Sequence, residues 1–441
     1  MTTASQVLPF LELNRTISDA GREWQRRARE FARDVVAPTG VALDRMDAAD
    51  VVADGSPFWD FLAQAHREGF TKLSGPAELG GLGLSRLEEF LAMEEITTGD
   101  AGLSAVLFLA PFSAAFAYQL GSPELVEEIA RPYFSGADPR LHSCWAITEM
   151  GHGSDMLTGH TPSLVSDARG DCVAHRDGDG WVIDGAKSTW VSSGATATHV
   201  TLYCGIDGEP LDRGLLAVLP TNLPGISQGP PIDKHGLRAL NQGQVVFDGV
   251  RLPAHYVLMG PDDFSIAVHS VHTLANVAVA MLAIGTGRAA YEGALKWTGE
   301  RIAGGRALAE HQLTKNRLFR MFMALEAGRA LTRAVYTYNY GEGDEGRLGS
   351  LQHSVAAKVF VTDASMALCE EALQLCGARG TLREGVEFAD GSRFHPEKLM
   401  RDAKSYRIAD GENTFLELIG GSHIVAEMQA AQAAAEVPSA V

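Results

Sequence analysis

Residues 1–140 read as a helical domain, residues 141–254 as an antiparallel β-barrel and residues 255–441 as a four-helix bundle, so the sequence predicts an α+β chain of three domains. Three observations predict that order. Up to about residue 140, apolar side chains recur every three or four positions. From about Leu141 they contract into short β-branched runs between glycine turns. After Pro253 long, alanine-rich periodic segments return, suited to close antiparallel packing.

In the first part, Ile17, Trp24, Ala28, Phe31 and Val35 form one apolar stripe with Arg and Glu on the other face, as a surface helix requires. Residues 58–69, 87–97, 101–120 and 123–134 continue as helices. Residues 75–84 are a glycine-rich loop. No strand precedes it, which argues against a dinucleotide fingerprint. Residues 171–175, 180–183, 199–204, 214–220 and 244–247 read as strands punctuated by turn residues, and the β-domain closes near 248–253. Helices are predicted over 264–296, 311–340, 350–376 and 415–435, with 341–349 a solvated connector and a frayed tail.

The chain has 441 residues and a net charge of −18, which argues against a nucleic-acid or anionic-membrane partner, since both need a basic face. Its five cysteines show no CxxC and no histidine at metal-ligand spacing, a pattern of reduced structural thiols in a cytoplasmic protein with no metal site. The start, MTTASQVLPFLELNR, lacks the basic and apolar regions of a signal peptide. Residues 277–284, the most apolar run, fall short of the roughly 20 residues that a membrane span needs, so no membrane partner is expected.

Chemistry concentrates in residues 398–418, KLMRDAKSYRIADGENTFLEL. Asp410-Gly411 breaks the helical pattern just before Asn413-Thr414 are placed to cap the next helix. A carboxylate at such a break is either a solvated turn residue or a base projecting into a cleft, where burial raises its pKa. In WAITEMGHGSD, residues 145–155, Gly151 and Gly153 let the backbone approach a flat ligand, and Thr148 and Ser154 offer hydroxyls. The same glycines also suit a plain domain junction. GAKSTWVSSG, residues 185–194, HGLRALNQGQVVFDGVRLP, residues 235–253, GERIAGGRALAEHQ, residues 299–312, and QLCGARG, residues 374–380, complete the set. Taken singly, each of these is also a strand or helix end.

Taken in order, these motifs resemble the flavin-dependent acyl-CoA dehydrogenases and acyl-CoA oxidases, over nearly the whole chain. The resemblance implies FAD as cofactor and an acyl thioester substrate carried by coenzyme A or an acyl carrier protein. An electron-transfer flavoprotein is the implied acceptor, in a homotetramer or homodimer. Asp410 stands where the family has the glutamate that removes the substrate's α-proton, and Glu412 is the second candidate. Trp145, Ile147, Thr148, Gly153 and Ser154 correspond to the flavin loop, and Trp190, Val191 and Ser192 to the residues that cover the ring. Glu412 and Asn413 complete that end of the site. Arg301, Gln312, Gln374 and Gly377 correspond to contacts with the pyrophosphate and adenine half, made largely to a cofactor of a neighbouring subunit. By the same resemblance residues 235–253 have an architectural role, with Arg238 as the alternative, one of few cations available to an anionic ligand.

The departures shape the alternatives. Met150 and His152 replace a proline and a small residue, giving TEMGHGSD, which with the GENT of residues 411–414 is closer to the oxidase branch. Ala275 stands where many members carry an arginine, and residues 381–395 form a longer connection than usual. An aspartate base also loses about 1.5 Å of reach relative to glutamate. The resemblance therefore implies an FAD-dependent dehydrogenase that forms an α,β double bond. It leaves open a flavin oxidase of the acyl-CoA or nitroalkane type, and a flavin-binding scaffold with a degraded site.

Overall fold

The computed structural model describes residues 17–158, 161, 164, 168–341 and 349–436. The predicted connector at 341–349 and the chain's two ends fall mostly outside them.

The helical region opens with Asp19–Phe31, capped by the Ser18 side chain, and runs through a π-turn at Ala32–Val36 into Ala37–Asp44. Pro57–Glu68 ends at Gly69 with φ +91°, a conformation that favours glycine. Arg86–Thr97 starts from a capping box between Ser85 and Glu88. The single helix expected over 101–120 is two helices, Ala101–Leu109 and Phe112–Leu120. Pro111 separates them because it cannot donate a backbone hydrogen bond.

The middle sheet has eight strands, seven of them along an open path from Ile226–Gln228 to Val257–Met259 and the eighth, Ser143–Ala146, off that path. Val245–Leu252, Gly180–Ala186, Val173–Asp177, His199–Ile206 and Gly214–Pro220 lie between these edges. Most pairings are antiparallel, as expected. Ser143–Ala146 and Val173–Asp177, however, both pair parallel to His199–Ile206. The sequence reading missed Ser143–Ala146, whose four residues are all buried and so show no alternation.

Four long helices follow, Phe264–Glu300, Gln312–Asn339, Leu351–Cys376 and Asn413–Glu436, with a shorter Pro396–Tyr406 before the last. Phe264–Glu300 is long and apolar enough to cross a membrane, which the length argument on residues 277–284 had missed. Within the protein, 78% of its most apolar window is buried, so its apolarity serves the core. The long connection over 381–395 folds into a hairpin, Val386–Glu387 against Arg393–Phe394. Lys296 pairs with Asp390 at 2.7 Å and holds this hairpin on the long helix.

Buried charges join the three parts. Glu94 binds Arg288, Arg329 and Arg333 at 2.8–3.1 Å. Asp402 accepts Lys398 at 2.7 Å and the Leu237 N–H at 2.7 Å, while Lys398 also binds Asp100 at 2.5 Å. Arg401 grips Asp44 through both terminal nitrogens at 2.8 and 2.9 Å. Arg401 and Asp402, prominent in the sequence, are therefore cross-domain staples. Arg238 is architectural in the same way, since its nitrogens are engaged by Asp44, Asp233, Lys234 and Met46 and not by the alternative, an anionic ligand.

Candidate active site

Pro396–Tyr406 ends five residues before Gly411, and Asn413–Glu436 begins two residues after it, so Asp410 lies on the turn between two helices. Its φ of +54° is left-handed, a conformation most side chains avoid, and Gly411 follows at +106°. Asp410 is half-buried, and burial pushes its carboxyl up to about 6 against the opposing charge of Lys358. A carboxylate there is basic enough to take a proton near neutral pH.

The cap of the following helix differs from the sequence expectation. Glu412, not Asn413 or Thr414, accepts the N–H groups of Thr414 and Phe415, at 3.0 and 3.2 Å. Those bonds hold its carboxyl below its ordinary value, the opposite of what a base needs. Asn413 turns inward instead and bonds Thr362 at 3.0 Å and Asp363 at 3.1 Å.

Ser154 accepts the Glu412 N–H at 3.2 Å, which brings the glycine-rich segment 145–155 to the Asp410 turn. A buried ion pair holds that segment. Glu149 and Lys187 meet at 2.7 Å with both side chains fully covered, and Lys187 also donates to the Ile147 carbonyl at 3.1 Å. Thr148 bonds Ser188 through their hydroxyls at 2.8 Å, so the segments 145–155 and 185–194 form one wall. Sequence reasoning passed over Glu149, Lys187 and Lys358; for Lys358 the available signal was a lone charge in the apolar helical run 355–361, while Glu149 and Lys187 lie just beyond strand ends and carried none. Glu149, His152 and Asp171 cluster closely enough to hold a metal, yet Glu149 already serves Lys187 and the Asp171 N–H.

On this wall Gly153 is open, since a Cβ built there meets nothing within 4 Å. Trp190 is 57% exposed, and Ser192 bonds Gln242 at 3.3 Å. Trp145 and Ile147 are buried, packed in one cluster with Tyr203, Phe264 and Ala275. The indole Nε1 of Trp145 has no partner among the described residues. Val191 departs from its predicted place. Its side chain lies in the β-domain core, its carbonyl accepts the N–H groups of Gly194 and Gly243, and its N–H donates to the Ser188 carbonyl at 3.4 Å.

Arg301, Gln312, Gln374 and Gly377 are not brought to this wall. Arg301 ends Phe264–Glu300, about 44 Å at 1.5 Å per residue from His272, the residue of that helix that faces Asp410. Gln312, Gln374 and Gly377 are exposed at neighbouring helix ends.

A cavity of about 950 Å³ lies on the near side of Tyr340. Met93, Leu107, Phe108, Val271, Leu274 and Ala275 give it an apolar lining, and Ser74, Arg86, Glu89 and Tyr340 contribute polar groups. Asp410 is near enough for its charge to act on Tyr340, whose hydroxyl donates to the Leu274 carbonyl at 3.2 Å. The small Ala275 leaves its volume to the cavity.

Models of the N-terminal, middle and C-terminal domains of acyl-CoA dehydrogenase match residues 18–137, 144–250 and 270–424. The chain is 27% identical over 413 residues to the mitochondrial short-chain specific acyl-CoA dehydrogenase of Bos taurus, covering 91% of this chain and 89% of that protein. Among solved structures, butyryl-CoA dehydrogenase from Megasphaera elsdenii superposes with a TM-score of 0.79 at 22% identity, over 94% of this chain and 100% of its own. A glutaryl-CoA dehydrogenase from Mycobacterium smegmatis in complex with FADH2 gives 0.74 at 21%, covering 92% and 95%.

Proposed function

The chain belongs to the acyl-CoA dehydrogenase family, and from that premise we propose that it desaturates an acyl-CoA between Cα and Cβ with Asp410 as the base. The observation that carries this reading is a half-buried carboxyl on a left-handed turn that is bonded to the glycine-rich wall and lies close enough to act on Tyr340 of the apolar cavity, with burial raising that carboxyl to about 6.

The wall fits FAD. The open face at Gly153, the exposed Trp190 and the unpartnered Trp145 Nε1 together offer a backbone approach, a stacking surface and a buried donor to a flat polar ring. Thr148, Gly153, Ser154, Trp190 and Ser192 would hold it. When bound, the flavin supplies the acceptor for the hydride that leaves Cβ. Asp410 takes the α-proton, and the apolar lining of the cavity excludes water from that transfer. Glu412 fixes the helix that carries the turn, and Glu149 with Lys187 fixes the wall.

Electrons then pass to an electron-transfer flavoprotein. The matched relatives are dehydrogenases, so the oxidase-like spellings at 148–155 and 411–414 do not favour oxygen as acceptor. The protein works in the cytoplasm as a homo-oligomer. Exposed Leu313, Phe319, Met323, Ile424, Val425 and Met428 support assembly, and the distant Arg301, Gln312, Gln374 and Gly377 would serve the cofactor of a neighbouring subunit.

Anaerobic mixing with saturated acyl-CoAs of graded chain length tests the function. Bleaching of the flavin band by at least one of them is expected, with colour restored by an electron-transfer flavoprotein. A flavin that none of them bleaches refutes desaturation, and rapid recolouring by air with peroxide release supports the oxidase.

A further inference from the structure

Two buried side chains face the backbone of the base's turn from two different helices, and one of them grips it. Lys358, on Leu351–Cys376 and fully covered, points its ammonium at the Gly411 carbonyl at 2.6 Å and the Asn413 Oδ1 at 2.7 Å. His272, on Phe264–Glu300 and also fully covered, faces the backbone of Asp410. A left-handed aspartate followed by a left-handed glycine is a costly conformation that persists only when its surroundings impose it. Burying an ammonium is costlier still, and a carbonyl and a side-chain amide offset it less well than a carboxylate does.

We propose that Lys358 is a positioning residue of the reaction, whose ammonium clamps Gly411 and Asn413 so that the Asp410 carboxylate is held in its left-handed turn and kept ionised for proton abstraction. This rests on Asp410 being the base.

The charges around Asp410 leave this role to Lys358. On the helix of Lys358, Asp363 pairs with Arg407 at 2.6 Å, so those two charges offset one another. Burial first, and then the neighbouring cations and histidines, lower His272 to about 3, so it faces Asp410 uncharged at neutral pH. His269 and His423 are lowered by burial too, and burial holds the Tyr340 phenol well above its usual range. Glu412, held ionised by its capping bonds, acts on Lys358 and favours its charged form. Burial lowers Lys358 itself to about 8, against the pull of Asp410, so it is largely charged at pH 7. Removing that charge shifts the Asp410 titration upward.

The test is anaerobic flavin reduction followed from pH 5 to 9 in Asp410→Asn, Lys358→Met and Lys358→Arg, each loaded with FAD. Lys358→Met is expected to bind FAD but to reduce it about 10-fold more slowly at pH 7, with the rising limb displaced by about one pH unit toward alkali. Lys358→Arg keeps the charge but not the compact geometry, so its limb stays near the parent's while its maximal rate falls. A parental rate and limb in Lys358→Met overturn the proposal. If Lys358→Met does not fold, Lys358→Arg decides, a parental maximal rate there being the contrary result. If Asp410→Asn reduces flavin at the parental rate, the base assignment fails first; if it is slow while both lysine variants are parental, only the clamp fails.

Discussion

Asp410 owes its chemistry to backbone placement as much as to its carboxyl. In Asp410→Asn the turn keeps its shape, and flavin reduction by an acyl-CoA is expected to slow by about 100-fold or more, the scale of a positioned general base. In the parent the rate should rise through pH 6, because the ionised form is the active one. The same raised acid makes the folded state less stable as pH climbs past the ordinary carboxylate range. Asp410→Asn should therefore melt higher than the parent at pH 8, with the difference gone at pH 4; equal melting at both would contradict a raised carboxyl. Glu412→Gln tests the neighbouring role. It should lower stability by about 1 kcal/mol through the weakened cap while reduction proceeds near the parental rate, and a collapse of the rate in a folded variant would move the base to Glu412.

At the scale of elements, the hairpin inserted at 386–394 depends on one glycine of the long helix. A Cβ at Gly293 would lie 2.3–2.5 Å from three atoms of the Phe394 ring, well inside contact distance. Replacing glycine by alanine in a helix ordinarily gains about 1 kcal/mol, whereas forcing a methyl into packed space costs about 1–3 kcal/mol. The ring is buried and backed by Phe388 at a centroid distance of 6.2 Å, so overpacking should win. Gly293→Ala is expected to lower the urea midpoint and to speed proteolysis in the hairpin. A higher midpoint would mean that Phe394 moves aside freely.

Across the whole molecule, Glu94 joins the helical domain to the bundle through Arg288, Arg329 and Arg333. Burial alone would raise its carboxyl, but Arg329, Arg333 and Arg288 outweigh burial and hold it at about 2. A depressed acid contributes stability that is complete above its unfolded value and lost as pH falls toward 2. Glu94→Gln removes the countercharge from buried arginines and should cost about 3–5 kcal/mol at neutral pH. The gap between parent and variant should narrow as urea unfolding is repeated at pH 4 and then 3. A gap that is small at pH 7, or indifferent to pH, would show that solvent reaches this cluster.

The sequence by itself determined the three-part order, the four long helices, most strands and the turn at Asp410-Gly411, because period, glycine and proline act on residues close in the chain. It also placed Thr148, Ser154, Trp190 and Asp410 among the residues to watch, through the resemblance of their motifs. Only the tertiary structure decided what those neighbourhoods do. Val191 went to the core, Arg238 was absorbed by carbonyls and Asp233, and Glu412 became a cap, since each outcome depends on a partner remote in sequence or on the exact helix start. Lys358 lies 53 positions from the glycine whose carbonyl it holds. Period and composition carry no trace of such a contact: desolvation and hydrogen bonding between distant parts of the chain are set by the packing of the finished fold.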